Sequence, residues 1–136
     1  MLKHTSYKRV RYGETDQMGY LYHGNYAQYY EIGRVELLRS LGLSYKLMED
    51  NWGVMMPVVS MSSRYLRPGK YDDLVAIETQ VRSLPAKQIT FHYELSDEQG
   101  KMLNGGRVVL CFVKKQSGER IECPDALHDL LLPHFA

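Results

Sequence analysis

Cysteine is scarce in this chain: Cys111 and Cys123 are the only two. Cys111 sits inside an apolar run and Cys123 beside a proline, a placement that fits reduced cytoplasmic thiols better than a disulfide framework. Runs of like charge are missing too. No five follow one another and the net charge is +1, so the basic footprint of a nucleic-acid binder is absent. The longest clean apolar run, Val108 to Val113, is far too short to span a bilayer. Met1-Leu2-Lys3-His4-Thr5 opens no apolar stretch, which predicts no secretory signal. His4, His23, His92, His128 and His134 are scattered without ligand spacing, so no metal is expected. Ser62 and Ser63 lack the Gly-x-Ser-x-Gly elbow of serine hydrolases, and there is no glycine-rich phosphate loop.

What remains is an ordinary globular composition, 44% hydrophobic and 24% charged over 136 residues. That length predicts one domain, residues 1–136, with a core that needs no staples. The one oddity is tyrosine, 11 of the 15 aromatics. Tyrosine carries an apolar body and a polar tip, which suits interfaces and half-wet clefts.

The element order follows from periodicity. Ser6 to Tyr12 alternates and is rich in β-formers, predicting a first strand. Gly13 to Gly24 is polar and glycine-punctuated. Asn25 then suits a helix N-cap, followed by Tyr26, Tyr30, Gly33, Leu37 and Leu41 at helical spacing, with Glu31, Arg34 and Glu36 off that face. Gly33 in the apolar stripe would allow close approach to a sheet. Gly42-Leu43 reads as the stop, and Ser44 to Asn51 as one or two further turns. Beyond residue 52 the period becomes two. Val54 to Leu66 (interrupted by Pro57), Leu74 to Leu84, Ile89 to Leu95 and Met102 to Val113 read as strands, the last buried on both faces. The short connections between them predict antiparallel hairpins. Pro124-Asp125 opens a short helix carrying Leu127, Leu130 and Leu131. One long helix against a curved antiparallel sheet is an α+β arrangement, and so small a sheet is expected to bury its edges in a homodimer.

The segment from Gly13 to Tyr26 is the candidate site. It is long for a loop, and it delivers the chain to the N-terminus of the longest helix. Such a terminus offers unpaired N–H groups and the positive dipole end, which can stabilise an oxyanion developing on a carbonyl. A carboxylate opposite could attack that carbonyl or activate water. Asp16 and Glu14 are the local carboxylates and His23 the local imidazole. Structural roles compete for the same residues: Asp16 as a turn residue, His23 as a packing or capping group, Glu14 as a solvated side chain, and Tyr22, Tyr26, Tyr29 and Tyr30 as core.

The run Thr15-Asp16-Gln17-Met18-Gly19-Tyr20-Leu21-Tyr22-His23-Gly24-Asn25-Tyr26 resembles the signature of hot-dog-fold acyl-CoA thioesterases of the 4-hydroxybenzoyl-CoA thioesterase type, including the branch associated with the Tol–Pal system. That signature is roughly Thr-Asp-x-x-Gly-x-x-Tyr-His-x-x-Tyr. Glu31-x-x-Arg34-x-Glu36-Leu37-Leu38 and Pro68-Gly69-Lys70-Tyr71-Asp72-Asp73 extend the resemblance over nearly the whole chain. It implies a hot-dog fold, a long central helix wrapped by a curved antiparallel sheet of about five strands. It further implies an acyl-CoA substrate, no cofactor, and a site at the interface of a homodimer or homotetramer.

Residue by residue, the resemblance makes Asp16 the essential carboxylate, as nucleophile or general base. The backbone from His23 through Gly24 and Asn25 to Tyr26 becomes the part that polarises the thioester carbonyl and meets the substrate. The role implied at His23 is more that of its backbone than of its imidazole. Lys87, with Arg67 and Arg64 as further candidates, is implied to meet the coenzyme A phosphates. Tyr20 departs from the pattern, being bulky where many members are smaller, and would reshape the acyl pocket. Two alternatives stay open on the same fold: hydrolysis of thioesters carried on acyl carrier protein, and a non-catalytic acyl-ligand or protein-binding module.

Overall fold

Strand β1, Leu2–Arg9, opens the chain in the computed structural model, which describes residues 1–135. It pairs antiparallel with β4, Leu74–Val81, from Leu2↔Val81 to Arg9↔Leu74. The strand thus starts earlier than the alternation at Ser6 suggested, because Leu2 is buried in the core. It ends earlier because a 3-10 turn occupies Tyr12–Glu14. Beyond β4 the sheet continues through β5, Gln88–Ser96, and β6, Met102–Lys114, to β3, Val58–Tyr65, which pairs only with β6. Two two-residue strands, β2 at Val54–Met55 and β7 at Arg120–Ile121, pair with the far end of β6. The sheet therefore has seven strands, where the sequence suggested about five. Met56 and Pro57 split the stretch read as one strand into β2 and β3, and a bulge between Val58 and Ser60 then interrupts the register within β3. β6 is the central strand, with Val108 to Phe112 buried consecutively, as its apolar run predicted.

Helix α1, Tyr26–Ser40, lies across β1, β4 and β5. Tyr26, Tyr29, Tyr30, Gly33, Arg34, Leu37 and Leu38 are buried along it. Arg34 was expected off this face. It is buried instead, and its Nε donates to Tyr45 Oη at 2.9 Å, which satisfies part of the guanidinium inside the core. After α1 the chain turns through Gly42 at φ 81°, and Leu43 N returns to Leu38 O at 3.0 Å. A short α2, Tyr45–Leu47, runs into a π turn at Met48–Trp52. Helix α3, Asp125–Leu131, buries Leu127 and Leu131 but leaves Leu130 exposed. Among the described residues no helix is long and apolar enough to cross a membrane. A long helix wrapped by one antiparallel sheet is the hot-dog arrangement.

Gly33 sets the separation of helix and sheet. A Cβ there would stand 2.3 Å from Thr79 Oγ1 and 2.9 Å from Ile77 Cγ2. The residues below it, on β4 and β5, are fully buried and have no free volume to retreat into. Gly33→Ala is therefore expected to destabilise by about 1–3 kcal/mol through overpacking, lowering Tm by roughly 5–10 °C in a thermal melt. An unchanged Tm would mean that α1 rides higher than described.

Candidate active site

The Gly13–Gly24 segment is organised by Glu14. Its Oε1 accepts from Arg11 N at 2.8 Å, Lys8 Nζ at 2.9 Å and Tyr29 Oη at 2.9 Å. Its backbone carbonyl accepts from Tyr22 N and from Asn25 Nδ2, both at 2.9 Å. One residue thus ties the end of β1, the loop and the first turns of α1 together. Glu14 is mostly covered rather than solvated as its sequence context suggested. Burial alone would raise its pKa, but the Arg11 N–H and the Lys8 and Tyr29 bonds outweigh that and hold it below the ordinary value. The Tyr29 phenol is pushed up, first by burial and then by its bond to the Glu14 carboxylate.

Asn25 stands at the predicted N-cap position without acting as a side-chain cap: its backbone is already helical, and its Nδ2 donates to the Glu14 carbonyl. The chain enters α1 instead through a 3-10 turn at His23–Asn25. Asn25 N donates to Tyr22 O, and the turn closes with Tyr26 N on His23 O. The N–H groups of His23 and Gly24 have no protein acceptor among the described residues. Tyr22 covers Gly24 so closely that a Cβ would meet Tyr22 Cε2 at 2.6 Å.

Asp16 is both turn residue and cleft residue. Its Oδ1 accepts from Met18 N at 2.9 Å and Tyr20 N at 3.2 Å, an Asx-type turn. Its Oδ2 carries no protein hydrogen bond among the described residues, which leaves a fixed carboxylate with one free oxygen. Asp16 and His23 share a cleft of about 300 Å³ whose walls include Tyr26, Tyr65 and Arg67. Tyr26 forms its buried side, with the Tyr65 ring edge-on at 5.3 Å. Backbone pairing joins the loop to the segment that follows Tyr65–Pro68, with Leu21 N donating to Gly69 O at 2.7 Å and Tyr20 bridged to Lys70. Asp72, at φ 69° in the next turn, is the one non-glycine residue in the left-handed region among the described residues. Aspartate tolerates that conformation, and Arg9 Nη1 bonds the Asp72 carbonyl at 2.8 Å.

The structure thus brings together Asp16, His23, Tyr26 and Arg67, with Gly24 and Asn25 in the same helix-entry turn. Arg64 stands exposed on β3, outside that cleft. Lys87 lies elsewhere in the chain, in a groove of about 1030 Å³ that it shares with Arg120, Gln88 and Thr90. Sequence reading missed Tyr65, Leu66 and Arg120. Only the position of Tyr65 and Leu66 at the end of a strand that turns back at Pro68 could have signalled them. Among the described residues no cluster of His, Cys, Asp or Glu could hold a metal ion. Both cysteines are free, and burial pushes the Cys123 thiol up to about 11, so it is a poor nucleophile.

A model of the thioesterase superfamily matches residues 18–104. The protein YneP of Bacillus subtilis (strain 168) is 33% identical over 120 residues, 88% of this chain and 86% of that one. The acyl-CoA thioester hydrolase YbgC of Escherichia coli O157:H7 is 31% identical over 106 residues, 77% of this chain and 78% of that one. Among solved structures, the DHNA-CoA thioesterase from Staphylococcus aureus superposes with a TM-score of 0.92 at 28% identity, over 99% of this chain and 92% of that one.

Glu14 yields a pH test. Its native pKa is depressed, so the stability it adds is present above the unfolded value of about 4.3 and is lost as pH falls through the native one. Glu14→Gln is expected to cost about 1–2 kcal/mol at neutral pH. In melts taken from pH 7 to pH 3, the Tm gap between wild type and variant should close toward the acid end. A gap that stays constant would show that Glu14 ionisation does not hold the loop.

Proposed function

The chain belongs to the thioesterase superfamily and is a thioester hydrolase, and we propose that its substrate is an acyl-CoA, cleaved to free acid and coenzyme A. One observation carries this reading. Asp16 keeps a free oxygen in the cleft that also contains His23, at the helix entry where two N–H groups lack acceptors. A thioester carbonyl placed between them would have its oxygen on the His23 and Gly24 N–H groups, where developing negative charge is stabilised. Asp16 would then take a proton from water as the hydroxide adds to the carbonyl carbon, and the C–S bond breaks as the tetrahedral intermediate collapses. The thiolate leaves and takes up the proton. Alternatively the carboxylate itself adds to the carbonyl, the thiolate leaves, and water hydrolyses the resulting anhydride. The His23 imidazole is a candidate for assisting proton movement beside the leaving group. A non-catalytic module would have no use for a half-free carboxylate held in this way, which favours the enzyme.

We further place the chain, as one hot-dog domain over residues 1–136, with the 4-hydroxybenzoyl-CoA thioesterase type and its Tol–Pal-associated branch. The support is the Thr15-to-Tyr26 signature and the Tyr71-Asp72-Asp73 turn, in which Asp73 Oδ2 accepts from Lys70 N at 2.9 Å. Free thiols favour a cytoplasmic setting. A homodimer or homotetramer is proposed because β3 has an unpaired outer edge among the described residues and exposes Val58, Val59, Met61 and Tyr65. In such an assembly Lys87 and Arg120 would serve the Asp16 cleft of another copy, meeting the phosphates of coenzyme A. Arg67 is the cation available to the cleft of its own chain.

Asp16→Asn should keep the fold and lower kcat for acyl-CoA hydrolysis by roughly 10²–10⁴-fold, read with a thiol-reactive dye across short, long and aromatic acyl groups. A folded variant with wild-type turnover would remove Asp16 from the chemistry. A parallel assay on acyl carrier protein thioesters decides between the two carriers.

Lys87→Ala should raise KM for acyl-CoA several-fold with little change in kcat, an effect that shrinks with salt and vanishes for a thioester lacking the nucleotide. Light scattering should give at least a dimer. An active monomer of the 15.8 kDa chain would contradict the shared site.

A further inference from the structure

Behind the cleft lies a cluster of polar side chains that the chemistry above does not use. Asn104, on β6, is fully buried. Tyr30, in the middle of α1, is fully buried as well, and its ring fills the space that Gly106 leaves by having no side chain. The third member is Ser63, on β3. Asn104 Nδ2 donates to Ser63 Oγ at 2.9 Å, Ser63 Oγ stands 2.7 Å from Tyr30 Oη, and Tyr30 Oη donates to Asn104 Oδ1. With Ser63 donating to Tyr30, the three form a closed ring in which each hydroxyl gives one hydrogen bond and takes one. The second Nδ2 hydrogen of Asn104 goes to the backbone carbonyl of Arg64, at 2.9 Å.

That last bond leaves the ring and reaches the cleft. Arg64 precedes Tyr65, Leu66, Arg67 and Pro68, the four consecutive residues that form one side of the Asp16 cleft. β3 is an edge strand, held by β6 alone among the described residues. The Cα register at this end pairs Tyr65 with Asn104 itself. Just beyond, Leu66 N and Arg67 N both donate to Leu103 O, at 2.9 and 3.1 Å. The wall is thus fastened to β6 at two neighbouring residues, by the Leu103 backbone and by the Asn104 side chain. Tyr65 in turn places its hydroxyl 3.5 Å from the His23 carbonyl. His23 O and Gly24 N belong to one peptide plane, so whatever fixes Tyr65 also bears on the direction of the Gly24 N–H.

We propose that Asn104 is a positioning residue for thioester hydrolysis: by gripping the Arg64 carbonyl it aims the Tyr65–Pro68 wall at the entry of α1 and keeps the carbonyl-polarising turn in register with Asp16. The inference rests on the reading of the Asp16 cleft as the hydrolytic site. It assigns different weight to two residues of one ring. Ser63 closes the ring and ties β3 to Asn104 two residues short of the wall, whereas Asn104 also bonds the Arg64 carbonyl that directly precedes the wall. A purely structural network would make each variant lose kcat only in step with its loss of Tm.

The test compares Asn104→Leu, which keeps the side-chain volume and removes every bond to Arg64 and the ring, with Ser63→Ala, which opens the ring and leaves the Asn104–Arg64 bond. Both should lower Tm. Asn104→Leu should lower kcat about 10- to 100-fold, the scale expected of a small misplacement of reacting groups, with KM within about threefold of wild type. Ser63→Ala should keep kcat within about threefold. Should Asn104→Leu fail to fold, Asn104→Ala removes the donors and the acceptor without bringing in a new polar group, and the same fall in kcat is expected. Proportionate losses of kcat and Tm across the variants, or wild-type kcat in a folded Asn104 variant, would overturn the positioning role. Asp16→Asn measured alongside separates the two levels. Full activity there overturns the site itself and the positioning role with it. An inactive Asp16→Asn beside a fully active Asn104→Leu overturns the positioning role alone.

Discussion

The close approach of α1 to the sheet at Gly33 is the constraint on which the rest of the structure hangs. With Thr79 Oγ1 where a Cβ would otherwise stand, the helix has one permitted height above β4 and β5. That height places Tyr30 under Gly106, where its hydroxyl reaches Asn104, and places Tyr29 where its hydroxyl reaches Glu14. Two buried tyrosines on adjacent positions of one helix thus point to the two devices that organise the cleft, one toward the loop and one toward the edge strand. Both phenols are pushed up in pKa, burial being the leading cause for each, so they stay neutral donors at any physiological pH. A neutral phenol is the right partner for a buried amide, because it supplies a donor and an acceptor without bringing a charge into the core.

The loop carries its carboxylates in two different ways, and the contrast explains which of them is available for chemistry. Glu14 has its Oε1 saturated by three donors and its charge matched by Lys8 at 2.9 Å. A carboxylate so engaged is a girder. Asp16 has one oxygen engaged by two backbone N–H groups and the other unengaged among the described residues. The turn role and the proposed chemical role, which compete when only the sequence is considered, are compatible in this one arrangement. The bonds that make the turn also stop the carboxylate from rotating, and preorganisation of that kind is what a general base or nucleophile needs.

The long-range layout was legible in the sequence because it rests on periodicity. The helix from Tyr26, the strand at Leu74 and the central strand with its apolar run all stand where the spacing put them. Arg34 was misread because a period argument assigns a charged residue to solvent, and nothing local announces that Tyr45 would meet its guanidinium in the core. Glu14 was misread for a related reason, since its partners Lys8 and Tyr29 are close only after the loop has folded. The loop side of the cleft was legible from the motif between Thr15 and Tyr26, yet the side made by Tyr65 and Leu66 was not. Those residues come from the end of β3 roughly forty positions downstream, and the contact of Tyr65 with His23 depends on the β3–β6 pairing.

The placement of the cations bears on how a highly charged substrate could be held by a chain of net charge +1. Arg67 stands beside Leu103, where β6 begins and β5 ends. Lys87 stands immediately before β5, at the opposite end of that strand. Nine residues of strand separate the two ends, roughly 25–30 Å at the rise of an antiparallel sheet. A cation that far along the sheet adds nothing to the Asp16 cleft of its own chain through solvent, since the distance exceeds the ~8 Å screening length of physiological salt several-fold. Either the groove with Lys87 and Arg120 is unrelated to the cleft, or a second copy brings it there. The exposed outer edge of β3 favours the second, because it offers unpaired backbone groups directly beside the cleft wall formed by Tyr65 and Leu66. In the proposed assembly local charge, rather than net charge, would draw in the substrate, because a second copy would bring that charge within reach of the carboxylate.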